Sequence, residues 1–120
     1  VGEQQGWWDT GPENFNVRVA EYHSQAAPSP GLPDPYHFDM DSLVTVDILL
    51  STPGVDFRGG EFSTLEADGT LQTHHFGRGE AVVFSSHKFH CVGPVTAGCR
   101  RVLVVEFWAG PPRCCAHRCR

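Results

Sequence analysis

The sequence predicts an all-β fold, a sandwich or barrel of short strands with few or no helices, and three observations carry that expectation. Thirteen glycines and nine prolines punctuate the 120 residues at short intervals. Between them lie apolar runs rich in Val, Phe and Thr, residues that suit a pleated backbone. No stretch shows the 3.6-residue apolar period of an amphipathic helix.

In chain order, strands are expected at Val17–Tyr22 and at Val44–Leu50, the run Val-Thr-Val-Asp-Ile-Leu-Leu. Gly60–Leu65 and Thr70–Phe76 follow, joined by Glu66-Ala-Asp-Gly69, whose Asp-Gly pair is a hairpin signal. Ala81–Ser85, Phe89–Val95 and Arg101–Trp108 complete the set, the last being the most apolar. Residues 26–35, Ala-Ala-Pro-Ser-Pro-Gly-Leu-Pro-Asp-Pro, are expected to form an ordered loop that does not continue a ladder, because proline lacks the N–H donor and fixes φ. Ser51–Gly60 is read as a second turn-rich connection.

The length fits one domain, with a core over about residues 17–108 and a Cys/His-rich tail at 109–120. A start at Val rather than Met reads as a piece of a longer chain. With 9 basic and 14 acidic residues the net charge is −5, so nothing asks for a nucleic-acid backbone or an anionic membrane. No apolar run reaches the roughly 18 residues of a spanning helix. The 5 cysteines are an odd number crowded toward the C-terminus, which favours a reducing, intracellular setting over a disulfide scaffold.

His37 and Asp39 are two apart, so on an extended backbone both side chains reach the same face. His90 on a downstream strand adds a second imidazole, and two imidazoles with one carboxylate make the facial triad that leaves positions open on Fe(II). A structural zinc site would instead saturate four ligands, usually with thiolates. Arg100 and Arg101 offer a permanently charged fork suited to a carboxylate. Strand parity puts them on opposite faces and does not choose between them.

These residues resemble a known family, the Fe(II)- and 2-oxoglutarate-dependent oxygenases, and within it the prolyl 4-hydroxylase-like branch. The resemblance rests on an ordered set: His37-x-Asp39, then Phe57-Arg-Gly-Gly-Glu-Phe62, then Gly79-Glu-Ala-Val-Val-Phe84, then His90-x3-Pro94-Val95-x2-Gly98-x-Arg100. It implies a double-stranded β-helix, that is, a jelly roll of cupin-like form. It makes His37, Asp39 and His90 the iron ligands, and Arg100 rather than Arg101 the partner of the distal carboxylate of 2-oxoglutarate. Tyr22 takes the place of a tyrosine in the co-substrate pocket, and Trp108, on the parity of Arg100, lines it. The cofactors implied are Fe(II), 2-oxoglutarate and O2, with ascorbate as an accessory. The reaction implied couples oxidative decarboxylation of 2-oxoglutarate to hydroxylation of a C–H bond in a peptidyl residue such as proline, and it requires no protein nucleophile or general base.

Other residues read more plainly. His87 lacks the downstream setting of His90, and His74 and His75 read as surface polar residues on opposite faces of a strand. Glu21, Asp47 and Glu106 read as solvent-facing acidic residues. The tail Cys114-Cys115-Ala-His117-Arg-Cys119 is either a flexible reduced segment or a small zinc or disulfide site. Two other classes fit the same residues: a non-catalytic metal-binding jelly-roll module of a larger protein, and a cupin-like metalloenzyme that does not use 2-oxoglutarate.

Overall fold

The computed structural model describes residues 15–112 as nine strands and no helix. They are β1 (Asn16–Ala26), β2 (Leu32–His37), β3 (Val44–Leu49), β4 (Phe57–Gly59), β5 (Phe62–Leu65), β6 (Leu71–His74), β7 (Ala81–Ser85), β8 (His90–Val92) and β9 (Val95–Trp108). The major sheet has the order β1-β9-β3-β7, with β4 joined to the early part of β9, and the minor sheet has the order β2-β8-β5-β6. Every strand pairing within the two sheets is antiparallel. This is the jelly roll: two sheets facing each other, with the chain crossing between them.

The strongest local signals hold. The Asp68-Gly69 turn closes the β5–β6 hairpin, with Gly69 at φ 87° and Leu65 opposite Leu71. The 14-residue β9 is the spine of the major sheet, pairing β1 along one edge and β3 along the other.

Several boundaries differ from expectation, β1 running on to Ala26 past the expected end at Tyr22 and β6 being shorter than Thr70–Phe76. The proline-rich segment does continue into a strand, since Leu32–His37 pairs with β8. It does so at the edge of the minor sheet, with a register shift between Leu32 and His37. Pro33 and Pro35 therefore sit where a missing N–H breaks no ladder. The connection over Ser51–Gly60 contains the short β4, which pairs Phe57 with Gly98. The run Phe89–Val95 divides at Gly93-Pro94 into β8 and the start of β9, so β9 begins before Arg101.

The inner face of β9 carries Arg100, Val102, Val104 and Glu106, and that of β3 carries Thr45, Asp47 and Leu49, all buried. Asp47 and Glu106 thus point inward, contrary to the solvent-facing expectation. The core cluster of Leu49, Phe57 and Val95, with Ala27 and Phe76 against it, closes one end of the roll. Toward the other end the interior is polar. Glu106 accepts a 2.6 Å hydrogen bond from Ser42 and lies 3.5 Å from the Arg18 guanidinium.

Candidate metal centre

The chain leaves the minor sheet at His37, the last residue of β2, and turns into β3 of the major sheet. Asp39 lies on that crossover, its N–H bonded to the Ser86 carbonyl at 2.8 Å. Asp41 completes the turn at φ 71°, a left-handed conformation that Asp tolerates. His90 opens β8 and is the register partner of His37. Two strand termini and one crossover therefore deliver three donor side chains to one point.

One donor atom from each of His37, Asp39 and His90 lies within 4.8 Å of the others. The Nε2 atoms of His37 and His90 are 3.7 and 3.6 Å from Asp39 Oδ1. His37 Nδ1 is 2.8 Å from the His90 carbonyl and His90 Nδ1 is 2.7 Å from the Lys88 carbonyl. A carbonyl only accepts, so both Nδ1 atoms carry a proton, which leaves both Nε2 atoms facing Asp39, as lone-pair ligands for a metal in the neutral ring and as N–H donors in the charged one. The His90 ring is held by Phe84 and Phe62, with centroids at 4.7 and 5.7 Å.

Asp39 is buried, and its Oδ2 accepts a 2.7 Å hydrogen bond from Thr45, whose hydroxyl is in turn 2.8 Å from Ser86 Oγ. Burial pushes the Asp39 pKa upward, but with no metal bound, Nε2–H donors on His37 and His90 in their charged form, together with the Thr45 hydroxyl, outweigh it and hold the carboxyl well below the usual range. An ionised carboxylate with two oriented imidazoles on one side and no thiolate in the group suits Fe(II) with positions left open. The residues present fit the metal that the sequence implies.

Arg100 is only 3% exposed while Arg101 is exposed. Of the two arginines that parity left equivalent, Arg100 is thus the inward one. Its Nη1 donates to Gln25 Oε1 at 3.1 Å. Burial lowers its pKa, with the Asp47 charge opposing, and a guanidinium remains a cation. The glycine motifs explain its placement. Gly60, at φ 68°, packs against the arginine stem so closely that a Cβ there would lie 2.7 Å from Arg100 Cδ. Gly98, at φ 72°, lets β9 approach the Asp56 carbonyl two residues before Arg100.

A narrow cavity of about 40 Å³ joins the triad to Arg100, with Gln25, Asp47 and His23 also on its wall. On the other side of His37 and Asp39 lies a more open cavity of about 460 Å³ that includes Arg18, Glu21, His23, Leu32 and Met40.

Two expected site residues fall elsewhere. Tyr22 is 58% exposed and touches neither cavity. After the register shift between Val17 and Val19, Glu21, His23 and Gln25 turn toward the interior and Tyr22 turns away. Trp108 lies at the far end of β9, where its Nε1 donates to the Pro111 carbonyl at 2.8 Å and the Arg18 guanidinium stacks at 5.5 Å. It buttresses the C-terminal end of the strand and does not line the pocket. His74 is also not a surface residue, since it packs on Phe62 and lies 2.7 Å from Thr64 Oγ1. His87 is exposed and rests against Phe38. Cys114, Cys115, His117 and Cys119 lie outside the described residues, as do Trp7 and Trp8; Cys91 and Cys99 are free thiols.

No protein-family model matches the sequence, and a search of curated proteins finds no relative. Solved structures do match. An oxidoreductase of the 2OG-Fe(II) oxygenase family from Burkholderia pseudomallei superposes with a TM-score of 0.67 at 20% identity, covering 84% of this chain and 48% of its own. A prolyl-4-hydroxylase from Pseudomonas putida superposes with a TM-score of 0.64 at 22% identity, covering 76% of this chain and 52% of its own. The chain shares the fold of these oxygenases. It spans about half the length of the two structures.

Proposed function

We propose that this chain is the catalytic jelly roll of an Fe(II)- and 2-oxoglutarate-dependent oxygenase of the prolyl 4-hydroxylase-like branch, acting on a C–H bond of a peptidyl residue such as proline. The observation that carries the reading is the convergence of His37, Asp39 and His90 with both Nε2 atoms directed at one point, beside an inward Arg100. The shared fold with oxygenases, one of them a prolyl-4-hydroxylase, supports it.

When bound, Fe(II) supplies the redox chemistry by which 2-oxoglutarate is decarboxylated and a C–H bond is oxidised by O2. The chain's own residues do the rest. His37, Asp39 and His90 would hold the metal from one side. The carbonyls of His90 and Lys88 fix the two imidazole tautomers, and Thr45 orients the carboxylate. Arg100 would take the distal carboxylate of 2-oxoglutarate. The open cavity at Arg18, Glu21 and Met40, mixed in polarity, is the approach for a peptide segment.

The test is an anaerobic titration with Fe(II) and then 2-oxoglutarate, following the visible charge-transfer band of the chelate in the parent and in His90→Ala. A band in the parent that the variant lacks supports the reading, and its absence from a folded, iron-loaded parent defeats it. Arg100→Ala should keep Fe(II) and weaken 2-oxoglutarate by about 2–5 kcal/mol, the cost of losing one partner of a buried charged pair. Proline-containing peptides incubated with the loaded protein should gain the mass of one oxygen.

A further inference from the structure

Resting on that reading, we propose that Asp47 is a second residue for the distal carboxylate of the co-substrate, and that it acts as the neutral acid, donating a hydrogen bond beside the Arg100 guanidinium. Asp47 stands on the inner face of β3 between Val104 and Val82 on its neighbouring strands. It is 8% exposed, and its Oδ1 is buried with no hydrogen-bond partner among the described residues. It shares the narrow cavity with Arg100 and the triad. A buried carboxyl oxygen left unpaired costs free energy, and the carboxyl that carries it belongs to a residue lining the space that the co-substrate would enter.

The surrounding charges decide which form of Asp47 can accept that ligand. Arg100 from β9, His90 from β8 and His23 from β1 favour its charged form. Burial and the Asp39 carboxylate on the β2–β3 crossover oppose it, and they prevail, raising the Asp47 pKa to about 6. His37 faces the same cavity from β2, while β7 contributes only Val82 and Phe84 on this side. An incoming carboxylate adds a second negative charge beside Asp47. The ionised form would repel it, whereas the acid offers a short charge-assisted O–H···O bond. Binding of the co-substrate therefore takes up one proton at Asp47.

The experiment measures 2-oxoglutarate affinity by anaerobic calorimetry on the Fe(II)-loaded protein from pH 7 to 8.5, for the parent, Asp47→Asn and Asp47→Val. Uptake of one proton weakens parent binding tenfold for each pH unit above the carboxyl's pKa. That slope holds as long as the pKa in the Fe(II)-loaded protein lies below this pH range. Asn, nearly the same shape and a permanent donor, should remove the slope and bind more than tenfold tighter than the parent at pH 8.5. Val should also remove the slope and bind more weakly than Asn, having no donor. Metal-ligand titrations are common to all three proteins and cancel in the comparison. Parallel pH profiles for parent and Asn, or an Asn variant weaker than the parent at pH 8.5, would overturn the proposal. If none of the three folded, iron-loaded proteins binds 2-oxoglutarate at any pH, the functional reading itself falls and this inference falls with it.

Discussion

Thr45→Val replaces a hydroxyl with a methyl and changes almost nothing in shape. The Thr45 side chain is fully buried, so water does not replace what is lost. Its hydroxyl has a single proton and Asp39 Oδ2 only accepts, so that proton lies on the 2.7 Å bond to the carboxylate, and Ser86 donates to Thr45 at 2.8 Å. Valine deletes both bonds and leaves the Ser86 hydroxyl without this acceptor. A hydrogen bond to a charged group contributes about 1.5–3 kcal/mol, a loss that a domain stable by roughly 5–15 kcal/mol tolerates. Urea unfolding of the metal-free variant should register that loss at neutral pH. The carboxylate also loses the bond that sets its orientation, which typically costs roughly 10- to 100-fold in metal affinity. Competition titration with Fe(II) under argon measures this, with Thr45→Ser as the variant that keeps the hydroxyl. Parent affinity in a folded Thr45→Val protein would refute the chain from Thr45 through Asp39 to the metal.

Asp47→Asn should stabilise the metal-free protein at pH 8. The folded pKa of about 6 lies above the ordinary 3.8, so the parent loses stability as pH rises through that window, by about 3 kcal/mol in all. Urea unfolding at pH 4 and pH 8 should show the gap between the two proteins opening only at the higher pH, and a pH-independent gap would contradict the sign. Gly60→Ala forces a side chain into positive φ against the Arg100 stem. It should cost roughly 1–3 kcal/mol of stability and weaken 2-oxoglutarate before Fe(II), as separate titrations would record. Glu106→Ala leaves the Arg18 guanidinium without its buried partner, a loss of about 3–5 kcal/mol. Thermal unfolding should fall accordingly, and a small shift would mean that Asp41, 3.8 Å from Arg18, suffices.

Much of this protein is legible along the chain, because the relevant signals are local. Strand composition, the Asp68-Gly69 hairpin and the donor types of His37, Asp39 and His90 all depend on residues near one another in sequence. The ordered motifs even explain the glycines: Gly60 and Gly98 occur where Arg100 and the Asp56 carbonyl leave no room for a Cβ. Proline chemistry, also local, was a weaker guide, since Pro33 and Pro35 are excluded from a ladder only where a donor is needed, and an edge strand needs none.

Which side of each strand faces inward was decided by the tertiary structure. Val44, Val46 and Ile48 look like a core face by alternation, yet β3 turns Thr45 and Asp47 inward because the roll encloses a polar site there. Arg100 and Arg101 are equivalent by parity, and only the packing of β9 separates them. Tyr22 does not face the expected pocket because β1 shifts register at Val17–Val19 and presents Gln25, not Tyr22, to Arg100. The contacts that settle these choices span 53 residues between His37 and His90 and 75 between Gln25 and Arg100. Backbone conformation and donor chemistry belong to neighbours in sequence, whereas inside and outside exist only once two sheets have closed on each other.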